Sequence, residues 1–323
     1  MLIIGTKIDE VRIDADFDKF RNDLDAFARF GIDATELPVH GFDAIKKGQL
    51  DDRQTARVIK VLSDYDFLYC VHAPNPLNLM EPADQTLHVS VLRSSLQFTR
   101  AIGSRILVYH PGRYIPEEAF LIGNKSDVSD DAKKALLERE AMTLAVLADE
   151  FPDIVICLEN ARPYLYHSPY CYAEKIELLK EQVLRINRKN VKITLDFGHL
   201  YMSACFYDFD PIEAAEGIAG LIAHAHVHDN FGHAVYVHEK QQTHQIPFGK
   251  GDSHMPVGWG EIPIGRILST FIECYDGMLM MELRSRYFMH TEESQENLRK
   301  ICNTIKALSM IMTEKSAINT PIG

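Results

Sequence analysis

No apolar run in the 323-residue chain approaches the ~20 residues that a bilayer span needs, so no transmembrane helix is expected. The opening Met1-Leu2-Ile3-Ile4-Gly5 lacks a basic n-region and a long apolar h-region, which predicts no signal peptide. No Cys-x-x-Cys pair occurs. The six cysteines, Cys70, Cys157, Cys171, Cys205, Cys274 and Cys302, are scattered, as reduced thiols in a cytoplasmic protein would be. No Pro/Gly/Ser-rich linker or charge block divides the chain, so one domain is expected over residues 1–310, with a loosely held tail over 311–323. A basic excess is also missing: 34 Lys and Arg stand against 46 Asp and Glu, a formal net charge of −12. That charge opposes long-range attraction to nucleic acid or an anionic membrane. Neither is an expected partner; a homo-oligomer is allowed by the sequence but not specified by it.

What is present is a regular alternation. Strand-like runs fall at Leu2–Ile8, Ile32–Pro38, Phe67–His72, Arg105–His110, Ile154–Glu159, Val191–Asp196, Leu221–His228 and Met278–Glu282. Helical patterns follow them at 17–30, 51–63, 87–102, 132–150, 173–186, 211–217, 264–274 and 293–308. Eight strand–helix units without an interruption predict a parallel sheet closed into a (β/α)8 TIM barrel. In such a barrel the residues that carry chemistry stand where strands end and loops begin.

The potential metal ligands stand there. The third strand ends in Val71-His72, the fourth in Tyr109-His110-Pro111-Gly112, and the fifth in Leu158-Glu159-Asn160. The sixth ends in Asp196-Phe197-Gly198-His199, and the seventh carries His224, His226 and His228. The loop after it holds Asp252 and His254 with Gly258 and Gly260, and the eighth ends in Met281-Glu282. Alternate side chains on a strand share a face, so the three seventh-strand histidines point one way. Burying them together demands a metal or a carboxylate network. Each residue alone has an ordinary structural reading; the repetition at six strand ends does not. Imidazole and carboxylate donors together favour zinc, manganese, iron or cobalt.

With these residues the chain resembles the xylose isomerase-like barrel superfamily, which includes sugar isomerases, epimerases and endonuclease IV. The resemblance implies that His72, His110, Glu159, Asp196, His199, His226, Asp252, His254 and Glu282 match the nine ligands of a three-zinc site. It also implies that Glu159, Asp196, His226 and Glu282 match the single-metal site of ketose epimerases. The first expectation is therefore metal-dependent isomerisation or epimerisation of a sugar, sugar phosphate or polyol through an enediolate. Glu159 and Glu282 would move the proton, and His199 would steady substrate oxygens. Arg113, Arg162, Arg284 and Lys250, just beyond strand ends, are candidates to hold a hydroxyl, carboxylate or phosphate. His228 is expected to touch substrate or a carboxylate behind the ligands, and His224 to be structural.

The alternative is phosphodiester hydrolysis at abasic DNA. The loops after the second and third strands, Val39-His40-Gly41-Phe42-Asp43 and Ala73-Pro74-Asn75-Pro76-Leu77-Asn78, argue against it: the second offers no aromatic wedge, and Lys46 and Lys47 are the basic residues near the first. Two long loops, Pro111–Asp131 and Asn230–Gly251 with His233, His238 and His244, are expected to form a specificity lid.

Overall fold

The computed structural model describes residues 2–81, 83–116, 119–120, 128–235 and 243–318. Eight parallel strands close a barrel: β1 Ile3–Lys7, β2 Ala34–Pro38, β3 Leu68–His72, β4 Ile106–Tyr109, β5 Val155–Glu159, β6 Val191–Asp196, β7 Ile222–Val227 and β8 Met278–Met281. β1 pairs with both β2 and β8, which completes the ring. A short hairpin, Ile45–Lys46 with Gln49–Leu50, follows β2. Among the described residues no helix is long and apolar enough to cross a membrane.

The helices owe their positions to one apolar face each. In α1 (Phe17–Arg29), Phe20, Leu24 and Phe27 are buried at helical spacing, and the Asp16 carboxylate caps the amides of Asp18 and Lys19. α2 (Asp52–Leu62) buries Val58, Val61 and Leu62; α3 (Gln85–Ala101) buries Leu92, Leu96 and Phe98. α4 (Asp130–Glu150) and α5 (Ile176–Ile186) complete that side. The sequence predicts a loop after β6, then a helix at 211–217. The structure has an eleven-residue helix first, α6 (Phe197–Tyr207), and then α7 (Pro211–Glu216). α6 reads Phe-Gly-His-Leu-Tyr-Met-Ser-Ala-Cys-Phe-Tyr and buries Phe197, His199, Leu200, Met202 and Ser203, so it has no polar stripe to reveal its period. α8 (Ile264–Ser269) precedes β8, and α9 (Thr291–Ile318) runs past the expected end at 308 and across the boundary at 310.

The barrel interior changes character along its axis. Its lower part is packed by Ala34, Cys70, Met278 and Met280. Gly5 makes room for that packing: a Cβ there would lie 2.6 Å from the sulfur of Met280. Toward the C-terminal strand ends the interior turns polar, with buried Glu36, His72, Glu159, Asp196, His224, His226 and Glu282.

Candidate metal centre

His224 and His226 face a carboxylate across the barrel, and His228 faces one on the neighbouring strand β6. Ala225 and Val227 belong to the outer apolar core, while His224 and His226 point inward. Glu36 of β2 lies beneath both: its Oε2 accepts from His224 Nε2 at 2.9 Å and from His226 Nε2 at 3.1 Å. Burial pushes the Glu36 carboxyl up, but the charges and hydrogen bonds of His226 and His224 outweigh it and hold the group well below the usual range. Because Nε2 of His226 carries the hydrogen, its Nδ1 presents a lone pair. That atom is buried without a hydrogen-bond partner. It faces Glu159 Oε1 at 3.5 Å, Glu282 Oε2 at 3.8 Å and Asp196 Oδ2 at 3.9 Å.

Three other histidines are fixed the opposite way round. The Nδ1 atoms of His72, His199 and His254 lie 2.7, 2.8 and 2.7 Å from the carbonyl oxygens of Ala73, Asn160 and Glu282. A carbonyl only accepts, so each Nδ1 donates and Nε2 faces inward. There His72 Nε2 meets Glu159 Oε2 at 3.4 Å, and His199 and His254 meet Asp252 Oδ2 at 3.4 and 2.8 Å. His110 Nε2 lies 3.1 Å from Glu159 Oε2. Lone pairs aimed at carboxylates require positive charge between them, as protons or as a metal ion. Without metal, protons take that place on His72, His199 and His226, whereas burial holds His110 and His254 below their ordinary value. Against the pull of burial, Asp196 and Asp252 push the His199 imidazolium up to about 10. Glu36 and Glu159 likewise raise His226 well above its ordinary value. Glu159 and Glu282 stay well below the carboxyl range despite burial, held there by His110 and His226 and by Lys7 and His226 respectively.

The nine sequence-predicted ligands fall into three groups: His72–His110–Glu159, Glu159–Asp196–His226–Glu282 and His199–Asp252–His254. Within each, one ligand atom per residue lies within 4.8 Å of the others, so each group could hold an ion, and Glu159 joins the first two. Supporting residues fix the loops that carry them. Asn160 accepts from the Asp196 amide at 2.7 Å and donates to its carbonyl at 2.9 Å. Asp229 accepts from the amides of Asn230, Gly258 and Ile262 at 3.0, 2.9 and 3.2 Å, shaping the Asp252–Gly260 loop. A Cβ on Gly260 would sit 2.4 Å from Asp229 Oδ1, which accounts for that glycine. His254 has φ 45°, a left-handed conformation costing ~1 kcal/mol or more, and the bond to the Glu282 carbonyl holds it.

A cavity of about 270 Å³ opens above the groups, lined by Lys7, His110, Glu159, Arg162, His199, His254, Glu282, Arg284 and Arg286 among others. Arg113 lines a smaller recess beside it, with His110 and Arg162. Lys250 is exposed and does not line the cavity; it lies within the segment that Gly251 closes by bonding to the His233 carbonyl. His228 is fully buried with Nε2 3.1 Å from Asp196 Oδ2, so the structure puts it on a carboxylate and away from the cavity wall. His224 sits on Glu36 and near Cys70, deeper than the ligands. Of the two long loops, residues 117–118, 121–127 and 236–242, including His238, lie outside the described residues. Their described parts dock through the Arg113–Cys171 bridge and the Leu165–Val235 bond.

Sequence reasoning missed Glu36 and Lys7. Lys7 ends β1 with its Nζ 2.8 Å from Glu282 Oε1. A period-two reading places Lys7 on the face of Gly5, and Glu36 on that of Ala34. A charged residue on the inner face of a barrel strand was the available signal.

The protein is thus a closed (β/α)8 barrel with an imidazole–carboxylate cluster at its C-terminal strand ends. A family profile for the xylose isomerase-like TIM barrel matches residues 24–307, and the chain belongs to that family. An uncharacterised protein of Methanocaldococcus jannaschii is 28% identical over 268 residues, 80% of this chain and 77% of its own. A D-tagatose 3-epimerase-like protein superposes with a TM-score of 0.70 at 22% identity, over 95% of this chain and all of its own. An L-ribulose 3-epimerase does so with a TM-score of 0.68 at 14% identity, over 99% and 100%. At these identities the likeness to solved structures is one of fold.

Proposed function

We propose that this protein is a divalent-metal-dependent isomerase or epimerase of a small sugar, sugar phosphate or polyol. The observation that carries the reading is the convergence of Glu159 and Glu282 on the unpartnered Nδ1 of His226 at a cavity of about 270 Å³. That volume is near the lower end for small-molecule sites, ~300–1,000 Å³. Glu159, Asp196, His226 and Glu282 would hold the ion, and their mixed donors suit zinc, manganese, iron or cobalt. A bound ion supplies electron withdrawal from a substrate carbonyl, which acidifies the neighbouring C–H bond.

The chain's own residues then move the proton. Both glutamates are held low enough to be ionised bases at neutral pH. One takes the proton beside the carbonyl and, now a carboxylic acid, returns it to the neighbouring carbon; return to the opposite face would need the other glutamate to have taken up a proton from water first. Lys7 holds Glu282 Oε1, which leaves Oε2 turned toward His226. His72 and His110 hold Glu159 Oε2 in the same way, which leaves Oε1 toward His226. Arg162 and His199 line the cavity 3.2 Å apart and would orient substrate hydroxyls.

A second reading, phosphodiester hydrolysis with up to three ions, is favoured by one observation: all nine ligand residues gather into three groups, two of which share Glu159. One experiment separates the two. Metal-loaded protein incubated with a ketose panel in heavy water should exchange hydrogen beside the carbonyl, and chelation or Glu159→Gln should abolish the exchange. No exchange across the panel, together with incision of an abasic duplex lost in Glu159→Ala, would overturn the isomerase reading in favour of the second.

A further inference from the structure

Four basic side chains line the cavity, and two of them are committed to carboxylates. Lys7 is bound to Glu282 at 2.8 Å, and Arg162 lies 3.3 Å from Asp252. Arg284 and Arg286, on the turn after β8, are not so committed. Among the described residues no carboxylate stands within ion-pair distance of either guanidinium. Arg284 Nη2 donates to the Asp252 carbonyl at 2.7 Å, while its Nε is buried without a partner. Arg286 is exposed, its guanidinium 5.3 Å from the centre of the Tyr287 ring.

The acidic lining residues do not answer these charges. Asp9 is occupied by the amides of Arg12 and Ser285, at 2.9 and 3.1 Å. Glu10 faces Lys7 and His40, whose charges outweigh its burial and keep it ionised. Glu159 and Glu282 belong to the metal cluster. Both guanidiniums line one cavity without a carboxylate partner, and a neutral hydroxyl supplies no countercharge. An anion does, and the planar fork of arginine matches a phosphate or carboxylate with paired donors.

We propose that the substrate is anionic: a small ketose or polyol ending in a phosphate or carboxylate, which Arg284 and Arg286 clamp while its carbonyl end reaches the His226 cluster. This rests on the isomerase reading for the carbonyl end, but the clamp can be judged without it.

The test compares matched pairs by calorimetry on the metal-loaded full chain. D-ribulose 5-phosphate against D-ribulose reads phosphate; D-fructuronate against D-fructose reads carboxylate. At least one charged partner should bind tenfold or more tighter than its neutral match. That ratio should fall below two in both Arg286→Ala, at an exposed position, and Arg284→Gln, which can still donate to the Asp252 carbonyl. Ratios near one for both pairs, or a ratio that survives both substitutions, overturn the proposal. If no ketose binds, the isomerase reading fails and inorganic phosphate becomes the probe. Phosphate affinity that drops tenfold in Arg286→Ala upholds the clamp; affinity that is absent or unchanged overturns it.

Discussion

Replacing Glu36 with Gln should weaken metal binding through a residue that touches no metal ligand position except from behind. Glu36 Oε2 accepts from both His224 and His226, and that bond makes Nδ1 of His226 the lone-pair atom. A glutamine can keep its amide oxygen under the two imidazoles. Its NH2 then takes the place of Oε1, an atom buried without a partner. Two donors left unsatisfied there cost roughly 1–3 kcal/mol, and two charge-assisted bonds become neutral ones at about 1 kcal/mol each. The metal-free variant should therefore lose roughly 3–5 kcal/mol of stability. Loss of a carboxylate behind a ligating histidine typically lowers metal affinity about 10–100-fold. Competition with a chromophoric chelator for zinc reads the affinity, and circular dichroism checks that the fold is kept. Glu36→Asp, which keeps the charge, should recover part of the loss. Affinity within twofold of the parent in a folded Glu36→Gln protein would refute the reasoning.

Two other perturbations probe the scaffold. Glu140 of α4 is fully buried and accepts from Tyr109, Tyr172, Gln182 and the Gly112 amide, tying the His110-Pro111-Gly112 turn to the helix. Burial pushes its carboxyl up despite these donors, so the stabilising contribution of its neutral form is present below the ordinary carboxyl pKa and is lost as pH rises through the folded value. Relative to Glu140→Gln in chelator, the parent should be more stable at pH 5 than at pH 8 by urea denaturation; a pH-independent difference would sink this. Gly198→Ala should destabilise by ~1–3 kcal/mol even though alanine favours a helix by ~1 kcal/mol, because its Cβ would meet the His228 ring at 2.0 Å. A urea midpoint equal to or above the parent's would show that His228 can move without cost.

The barrel was legible because strand–helix alternation recurs eight times and ligand-type residues mark six strand ends, and each repetition corrects the others. Glu159 and Asp196 could be found that way, since a strand ending in a carboxylate stands out from the apolar run before it. Glu36 could not be assigned a role, because Thr-Glu-Leu-Pro shows a buried carboxylate but not its partner, which comes from β7 across the barrel interior. Glu140 is hidden for a similar reason: its four donors come from three different elements and a loop. α6 failed for the opposite cause, since a helix buried on most sides has no amphipathic signature. Lys250 was placed at the site by its distance from a strand end along the chain, and a turn carries it to the surface instead.

The charges of the cluster set an order in which ions should enter. Five buried carboxylates, Glu36, Glu159, Asp196, Asp252 and Glu282, face two permanent cations, Lys7 and Arg162. Three negative charges are left for imidazolium or metal. They are not evenly spread. Arg162 already stands 3.3 Å from Asp252, so the His199–Asp252–His254 group has a cation in place. The His72–His110 group has no carboxylate of its own in the cluster, because Glu159 is shared with His226. The His226 group holds three carboxylates against one lysine, and its Nδ1 has no other partner. The strongest demand for a cation is therefore there, and the first equivalent of zinc or manganese should go to it. Titration of chelator-treated protein should show one tight step ahead of any weaker ones. His226→Gln should remove the tight step, whereas Asp252→Asn should spare it. Ions that enter all three groups with equal affinity would contradict this ordering, and would favour the hydrolytic reading over chemistry at a single ion.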